Sequence, residues 1–464
     1  MPHVGLFTHR FVHPASHQKA SVLSISPAPS LASPRWRVLI LSTVAFTLMF
    51  NVWLMLGVLG IPIRKGLELS DSQLEWLIAV AILSGALLRL NFGIWTDRFG
   101  GRNMMVFLLL SSAIPTYLFS LSDSYMELFM CAALFGMSGN SFSVGIAWNS
   151  AWFPPQTKGT ALGVFGAGNV GAAGTKLLVL FVPAILTLVP AAGFLWGWIP
   201  GGWRFIPSLY AVLLVMMAGV ILLVAPKNDP RPAQGRSMLS LMSPLRYLRV
   251  WRFSLYYVVV FGAYVALSSW LPKFYIDTYK LSLHTAALYT ASFIFPASLL
   301  RPLGGYLSDK FGPRVVTYWV FAVMTVALAI LAIPSGEYLG VAYYPSAGVF
   351  AMLMFVVGCG MGIGKASVYK YIPNYFPQDV GAVGGLVGLL GALGGFFLPP
   401  LFGALGRWSG VPQMAFVALL ALTAGSLAWL HVAVVQMRGA SLSSAANLLP
   451  PPALSGSLEA ESST

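Results

Sequence analysis

The stretch ILSGALLRLNFGIWTDRFGGR, residues 82–102, decides how this chain is read. Arg89 stands deep in an apolar run, eight residues before the charged cluster Asp97, Arg98 and Arg102. At about 1.5 Å of rise per helical residue it lies roughly 12 Å inside whatever boundary that cluster marks. Composition says what the boundary is. Of 464 residues, 57% are hydrophobic and only 9% charged, and the mean hydropathy is +0.78. A globular chain in water carries roughly a quarter charged residues, so this one is solvated by lipid.

Apolar runs long enough to span a bilayer, about 20 residues each, fall at 38–60, 74–95, 104–121, 127–150, 160–188, 205–225, 253–272, 284–306, 315–333, 346–371, 381–404 and 413–436. The expectation is an all-α membrane protein of twelve transmembrane helices. A basic segment, 226–252, divides them into halves at 38–225 and 253–437. Residues 1–37 and 438–464, rich in Ser, Pro and Ala, are expected to be disordered tails. The first 35 residues hold no continuous apolar core, so a cleaved signal peptide is not expected.

Basic residues set the orientation. With both termini cytoplasmic, the tails and cytoplasmic loops hold 16 of the 27 Lys and Arg, and the opposite face holds Arg64, Lys65, Arg204, Lys273, Lys280 and Arg407. This asymmetry accounts for the net charge of +14 without nucleic acid and predicts an inner-membrane location. Cys131 and Cys359, the two cysteines, both lie within spans and suggest neither a disulfide framework nor a metal site.

Five basic residues remain inside spans: Arg89, Lys176, Arg301, Lys365 and Lys370. Every Asp and Glu falls at a helix end, a loop or a tail, so the interior is expected to hold positive charges with no carboxylate beside them. A lone cation at the bilayer centre costs about 2.5 kcal/mol or more. Lysine can also snorkel to an interface, and Lys370 lies only about 9 Å from the Phe376-Pro377 boundary.

The chain repeats itself. Arg89-x3-Gly93-x3-Asp97-Arg98-Phe99-Gly100-x-Arg102 recurs as Arg301-x3-Gly305-x3-Asp309-Lys310-Phe311-Gly312-x-Arg314, at an offset of 301 − 89 = 212. Trp152-Phe153-Pro154 recurs as Tyr375-Phe376-Pro377, at an offset of 375 − 152 = 223. Two pseudo-symmetric halves of this kind bring Arg89 and Arg301 to the same depth across the axis, where such transporters hold substrate.

The Gly-x3-Asp-Arg-x-Gly-Gly-Arg loop and its echo resemble the signature loop of the major facilitator superfamily. Two glycine helices, GVFGAGNVGAAGTK (163–176) and GLVGLLGALGGFFLP (385–399), resemble the paired motifs of its nitrate/nitrite porter family, the NarK-like proteins. The resemblance covers nearly all of 38–437. It implies the facilitator fold, transport of nitrate or nitrite, and substrate contacts from Arg89, Arg301 and Asn169, with Phe142, Tyr257 and Phe261 as aromatic candidates. It makes 97–102 and 309–314 a gating loop. It also points to the proton-coupled branch of the family.

The residue chemistry agrees. Two guanidinium groups offer planar donor forks that suit a small oxyanion. Gly163, Gly166, Gly168 and Gly171, and Gly388, Gly391, Gly394 and Gly395, permit close approach of a backbone or a ligand. Asn169, an amide on a glycine face, has little to bond except a ligand or water. Lys176, Lys365 and Lys370 are candidates for proton coupling, in a nitrate/proton symport or, alternatively, a nitrate/nitrite antiport. A larger organic anion is the competing substrate.

Enzymatic readings fail. GCGMGIGKAS (358–367) places Cys359 where a P-loop needs glycine, and Ala366 follows Lys365. His3, His9, His13 and His17 lie in the tail without a carboxylate. No metal or cofactor is expected. The reading of a different class is an anion sensor that does not transport, which would carry an added signalling domain. The expected partners are nitrate or nitrite, protons and lipid, with the chain acting as a monomer.

Overall fold

The computed structural model describes residues 33–171, 189–190, 192–338 and 341–446. Within them twelve helical segments follow in order. They are α1 (Pro34–Leu54, continuing as Leu56–Gly66), α2 (Asp71–Leu87, then Arg89–Phe99), α3 (Gly101–Leu121), α4 (Tyr125–Phe135, then Ser141–Trp152), α5 (Lys158–Gly166, then a 3-10 turn Ala167–Val170) and α6 (Phe205–Val224). The second half holds α7 (Leu248–Tyr279), α8 (Leu283–Leu299, then Arg301–Phe311), α9 (Pro313–Leu331), α10 (Ala347–Tyr375), α11 (Val380–Ser409) and α12 (Met414–Ala446). Ten of these are long and apolar enough to cross a membrane. The remaining two are α5, described only to Gly171, and α8, whose second segment is polar.

The breaks carry the design. Leu88 and Leu300 each leave helical geometry with ψ near zero, at 0° and 2°, and the residue after each is an arginine, Arg89 or Arg301. Each half-helix then ends on a glycine with positive φ, Gly100 at 90° and Gly312 at 84°. That conformation is strained for any residue with a Cβ, which explains the glycine in both copies of the loop. The half-helices then cross between halves. The second segment of α2 packs on α11, and that of α8 packs on α5.

These crossings are backbone to backbone. A methyl group on Gly93 would strike the Gly381 carbonyl, and one on Gly305 would strike the Gly159 carbonyl. Aromatic and aliphatic side chains of α7 to α12 form one large core that also takes Phe46, Phe50, Trp53 and Phe142 from the first half.

The structure moves several boundaries. α7 starts at Leu248, five residues before the apolar run, because Val250 is buried while Arg249 stays exposed. It also extends to Tyr279 and contains a π-helical turn, Val258–Gly262. The last helix continues to Ala446, into the segment expected to be a tail. A two-stranded hairpin, β1 (Gly336–Tyr338) and β2 (Val341–Tyr343), adds strands to a fold expected to be wholly helical. The segment expected to be only a linker includes a short helix, Met238–Met242.

Tight crossings predict a contrast between glycines. Gly305→Ala would place its Cβ against the Gly159 carbonyl and 3.0 Å from Thr160 Cα. The expected destabilisation is about 1–3 kcal/mol, read as a lower melting temperature of the purified protein. Gly219→Ala points into open space and is expected to leave the melting temperature unchanged or raise it. Equal melting temperatures for the two variants would contradict the crossing.

Candidate anion site between the halves

Arg89 and Arg301 are both 0% exposed. Their guanidinium carbons lie 5.7 Å and 5.2 Å from the centre of one ring, Phe142 on α4. Phe142 is nearly parallel to Tyr257 and Phe261 of α7, at 6.2 Å and 6.3 Å between centroids, and those two stack on each other at 4.9 Å. Tyr257 caps the π-helical turn and Phe261 lies within it, and the i,i+4 pair faces one place. All three aromatic candidates are therefore brought together with both arginines.

The two cations are held unequally. Arg89 Nε donates to the Gly85 carbonyl at 3.0 Å, and its Nη1 donates to the Gly388 carbonyl at 3.1 Å. It also faces Trp53 at 5.2 Å and Phe261 at 5.4 Å. Among the described residues Arg301 has no hydrogen-bond partner for Nε, Nη1 or Nη2. Asn169, 0% exposed in the 3-10 turn after α5, leaves both amide atoms without a partner. The Tyr257 hydroxyl faces Arg301 and has no hydrogen bond of ordinary length among the described residues. A buried polar group without a partner costs about 1–3 kcal/mol, so the site is chemically unfinished as it stands.

The glycine helices meet these groups directly. A methyl group on Gly166 would overlap the Arg301 guanidinium, and one on Gly163 would lie 3.0 Å from Pro302 Cα. In the other half, a Cβ on Gly388 would stand 2.9 Å from the Tyr369 hydroxyl and 3.4 Å from Arg89 Cδ. A Cβ on Gly391 would overlap the Tyr257 ring. Gly168 and Gly171 face α1, and Gly394 and Gly395 face α7. Each glycine helix thus leans on the arginine of the opposite half.

Toward the C-terminal ends of the half-helices, carboxylates cap helices of the other half. Asp309 accepts from Gly159 N at 3.0 Å and Thr160 N at 2.7 Å, and Asp97 accepts from Gly381 N at 2.8 Å. Both sit at a helix N-terminus, where a negative charge is favoured. Lys370 completes the first cap, with Nζ 2.5 Å from Asp309 Oδ1. This corrects the expectation that no carboxylate reaches the internal cations, because Asp309, in the last turn of the α8 half-helix, meets Lys370 across the packing of α8 on α10. Arg236 of the linker pairs with Asp379 at 2.7 Å.

Asp229 in the linker accepts from Arg102 N at 2.6 Å and from the indoles of Trp148 and Trp152 at 2.9 Å and 3.0 Å. Arg314 donates to the Tyr375 hydroxyl. Arg98 and Lys310 lie over the neighbouring rings of Phe99 and Phe311 instead of entering the caps. Lys176 lies outside the described residues. Lys365 is 0% exposed, donates to the Ala297 carbonyl at 3.0 Å and stands 3.1 Å from the centre of the Tyr264 ring.

Sequence reasoning missed Trp53, Tyr264 and Tyr369. The signal was in the chain: Phe46-x3-Phe50-x2-Trp53 on α1 repeats as Tyr257-x3-Phe261-x2-Tyr264 on α7.

The chain resembles known proteins in sequence and in fold. The profile of the Major Facilitator Superfamily matches residues 41–399 and 277–455. A probable nitrate/nitrite antiporter, NarK1, of Thermus thermophilus is 59% identical over 415 residues, covering 87% of this chain and 92% of that one. A nitrite extrusion protein of Bacillus subtilis is 30% identical, covering 80% and 87% of the two chains. Among solved structures, the Escherichia coli fucose:proton symporter FucP aligns with a TM-score of 0.65 at 14% identity, over 85% of this chain and 99% of that one. The human organic anion transporter MFSD10 aligns with a TM-score of 0.65 at 15% identity, over 86% and 100%. These two likenesses concern the fold.

The ion pair at the first cap gives a prediction. Lys370 and Asp309 side chains are 5% and 8% exposed, so removing one partner strands a buried charge at a cost of about 3–5 kcal/mol. Asp309→Asn is expected to lower the melting temperature clearly, and adding Lys370→Met is expected to recover much of the loss. An additive double variant would contradict the pairing.

Proposed function

Because the chain belongs to the major facilitator superfamily, among relatives that are NarK-type nitrate/nitrite transporters, we propose that its central site carries nitrate, and nitrite, across the inner membrane by alternating access. The observation that carries the reading is Arg301, fully buried over Phe142 with all three guanidinium nitrogens unpaired, opposite Arg89. A planar monoanion suits that place. Its edge meets the donor forks, its face meets an aromatic ring, and its charge offsets one of two permanent cations. Asn169 supplies an amide contact and Tyr257 a hydroxyl.

The two halves, 38–225 and 253–437, are the rocking bodies, with 226–252 as the connection and both termini in the cytoplasm. Opening to the cytoplasm separates Asp97 from Gly381, and Asp309 from Gly159 and Thr160. The glycine helices slide against the opposite arginines as this happens. The chain acts as a monomer.

For coupling we favour nitrate/proton symport, with Lys365 and Lys370 as candidates together with Lys176. The second reading is nitrate/nitrite exchange. The permanence of both arginine charges favours it, since an empty carrier would have to reorient with two unneutralised cations. The Thermus relative is named an antiporter.

Two outcomes are expected. Arg301→Lys keeps the charge and loses the fork, so nitrate flux into proteoliposomes should fall at least about tenfold, as should that of Arg89→Lys. Near wild-type flux in both variants would remove the clamp. Vesicles with no internal anion should accumulate labelled nitrate when an inward proton gradient is imposed. Uptake that requires preloaded nitrite and ignores the gradient would establish exchange instead, and nitrate binding without any flux would identify a sensor.

A further inference from the structure

The internal repeat is broken at one informative place. Phe142 and Lys365 are separated by 223 residues, the same offset that relates Trp152-Phe153-Pro154 to Tyr375-Phe376-Pro377. One half therefore presents an aromatic ring to the arginines where the other half presents an amine. Trp53 and Tyr264 are related in the same way through the α1 and α7 repeat. Arg89 uses the Trp53 face at 5.2 Å. The corresponding Tyr264 face is taken by Lys365 Nζ, and Arg301 lies over Phe142 instead. Arg301 therefore lacks the second ring contact that Trp53 gives Arg89.

Three cations thus share two parallel rings. Phe142 carries Arg89 and Arg301, and Phe261 carries Arg89 at 5.4 Å and Lys365 at 5.9 Å. The charged and titratable groups set around Lys365 are Arg301 from α8 and Tyr264 from α7, with Arg89 of α2 across the shared Phe261 ring. The buried carboxylates Asp97 and Asp309 are bonded at the caps. Arginine does not release its proton in proteins, and lysine does. When the site is closed and empty, the cost of three like charges in a low-dielectric space falls on the one group able to shed charge.

We propose that Lys365 is the proton-carrying group of this transporter: its ammonium gives a proton to water when the site is empty and regains one from water as the anion settles between Arg89 and Arg301. The inference rests on the nitrate reading and narrows its coupling to one residue. Lys370, held by Asp309 and the Pro155 carbonyl, is a component of the cap, and its proton stays in place. Each anion that enters brings one proton, and both leave together when the cytoplasmic caps open.

The test is proton uptake by purified protein in weakly buffered detergent solution with a pH indicator, on adding nitrate. The wild type is expected to take up close to one proton per nitrate bound. Lys365→Met is expected to bind nitrate without taking up a proton, and in proteoliposomes to lose gradient-driven accumulation while still exchanging nitrate for nitrite. Lys365→Arg, permanently charged, is the second variant and is expected to show the same loss of uptake. Wild-type nitrate binding with no proton uptake, or uptake retained in either variant, overturns the proposal and leaves the nitrate reading intact. An absence of nitrate binding by the wild type overturns both.

Discussion

The structure depends on one constraint: two guanidinium groups that cannot lose their charge are buried in the middle of a lipid-solvated protein with no carboxylate between them. Everything nearby reduces that cost without removing it. Aromatic faces supply cation–π attraction of about 1–2 kcal/mol each when desolvated. The carbonyls of Gly85 and Gly388 accept from Arg89. Arg301 is left with unsatisfied donors. A chain selected only for stability would have paired or removed these charges. Their retention is explained when an anion completes the site.

The same constraint organises the glycine helices and the caps. A guanidinium buried at a crossing needs room, and Gly166 and Gly388 give it by lacking side chains. The close approach carries the loop of each half to the helix N-terminus of the other, where Asp97 and Asp309 find amide donors. Closing the end that carries the caps and positioning the arginines are therefore consequences of one set of crossings. The linker adds to this closure through Asp229 on Trp148 and Trp152, and through Arg236 on Asp379.

Much of this was legible in the chain because it repeats. The offset of 212 residues identified Arg89 and Arg301 as partners, and the glycine motifs marked the helices that receive them. Apolar length marked the spans, since lipid imposes a minimum on each, and ten of the twelve expected are long and apolar enough among the described residues. The partner of Lys370 was hidden because Asp309 is remote in sequence and sits in the last turn of its half-helix, beyond the apolar run, which a count of charges within spans excludes. The start of α7 was hidden because an amphipathic first turn with exposed arginines reads as linker. The place of Lys365 on the Tyr264 face was hidden too, because the stretch of α10 around it, 364–373, is buried on every side and leaves no hydrophobic period to read.

The central claim is that an anion completes the arginine pair. A structure determined with nitrate bound tests it most directly. The account predicts a planar anion between Arg89 and Arg301, beside the Phe142 ring, within hydrogen-bond distance of the Arg301 nitrogens and the Asn169 amide. Nitrate bound elsewhere, with the Arg301 nitrogens and the Asn169 amide still without partners, would contradict it.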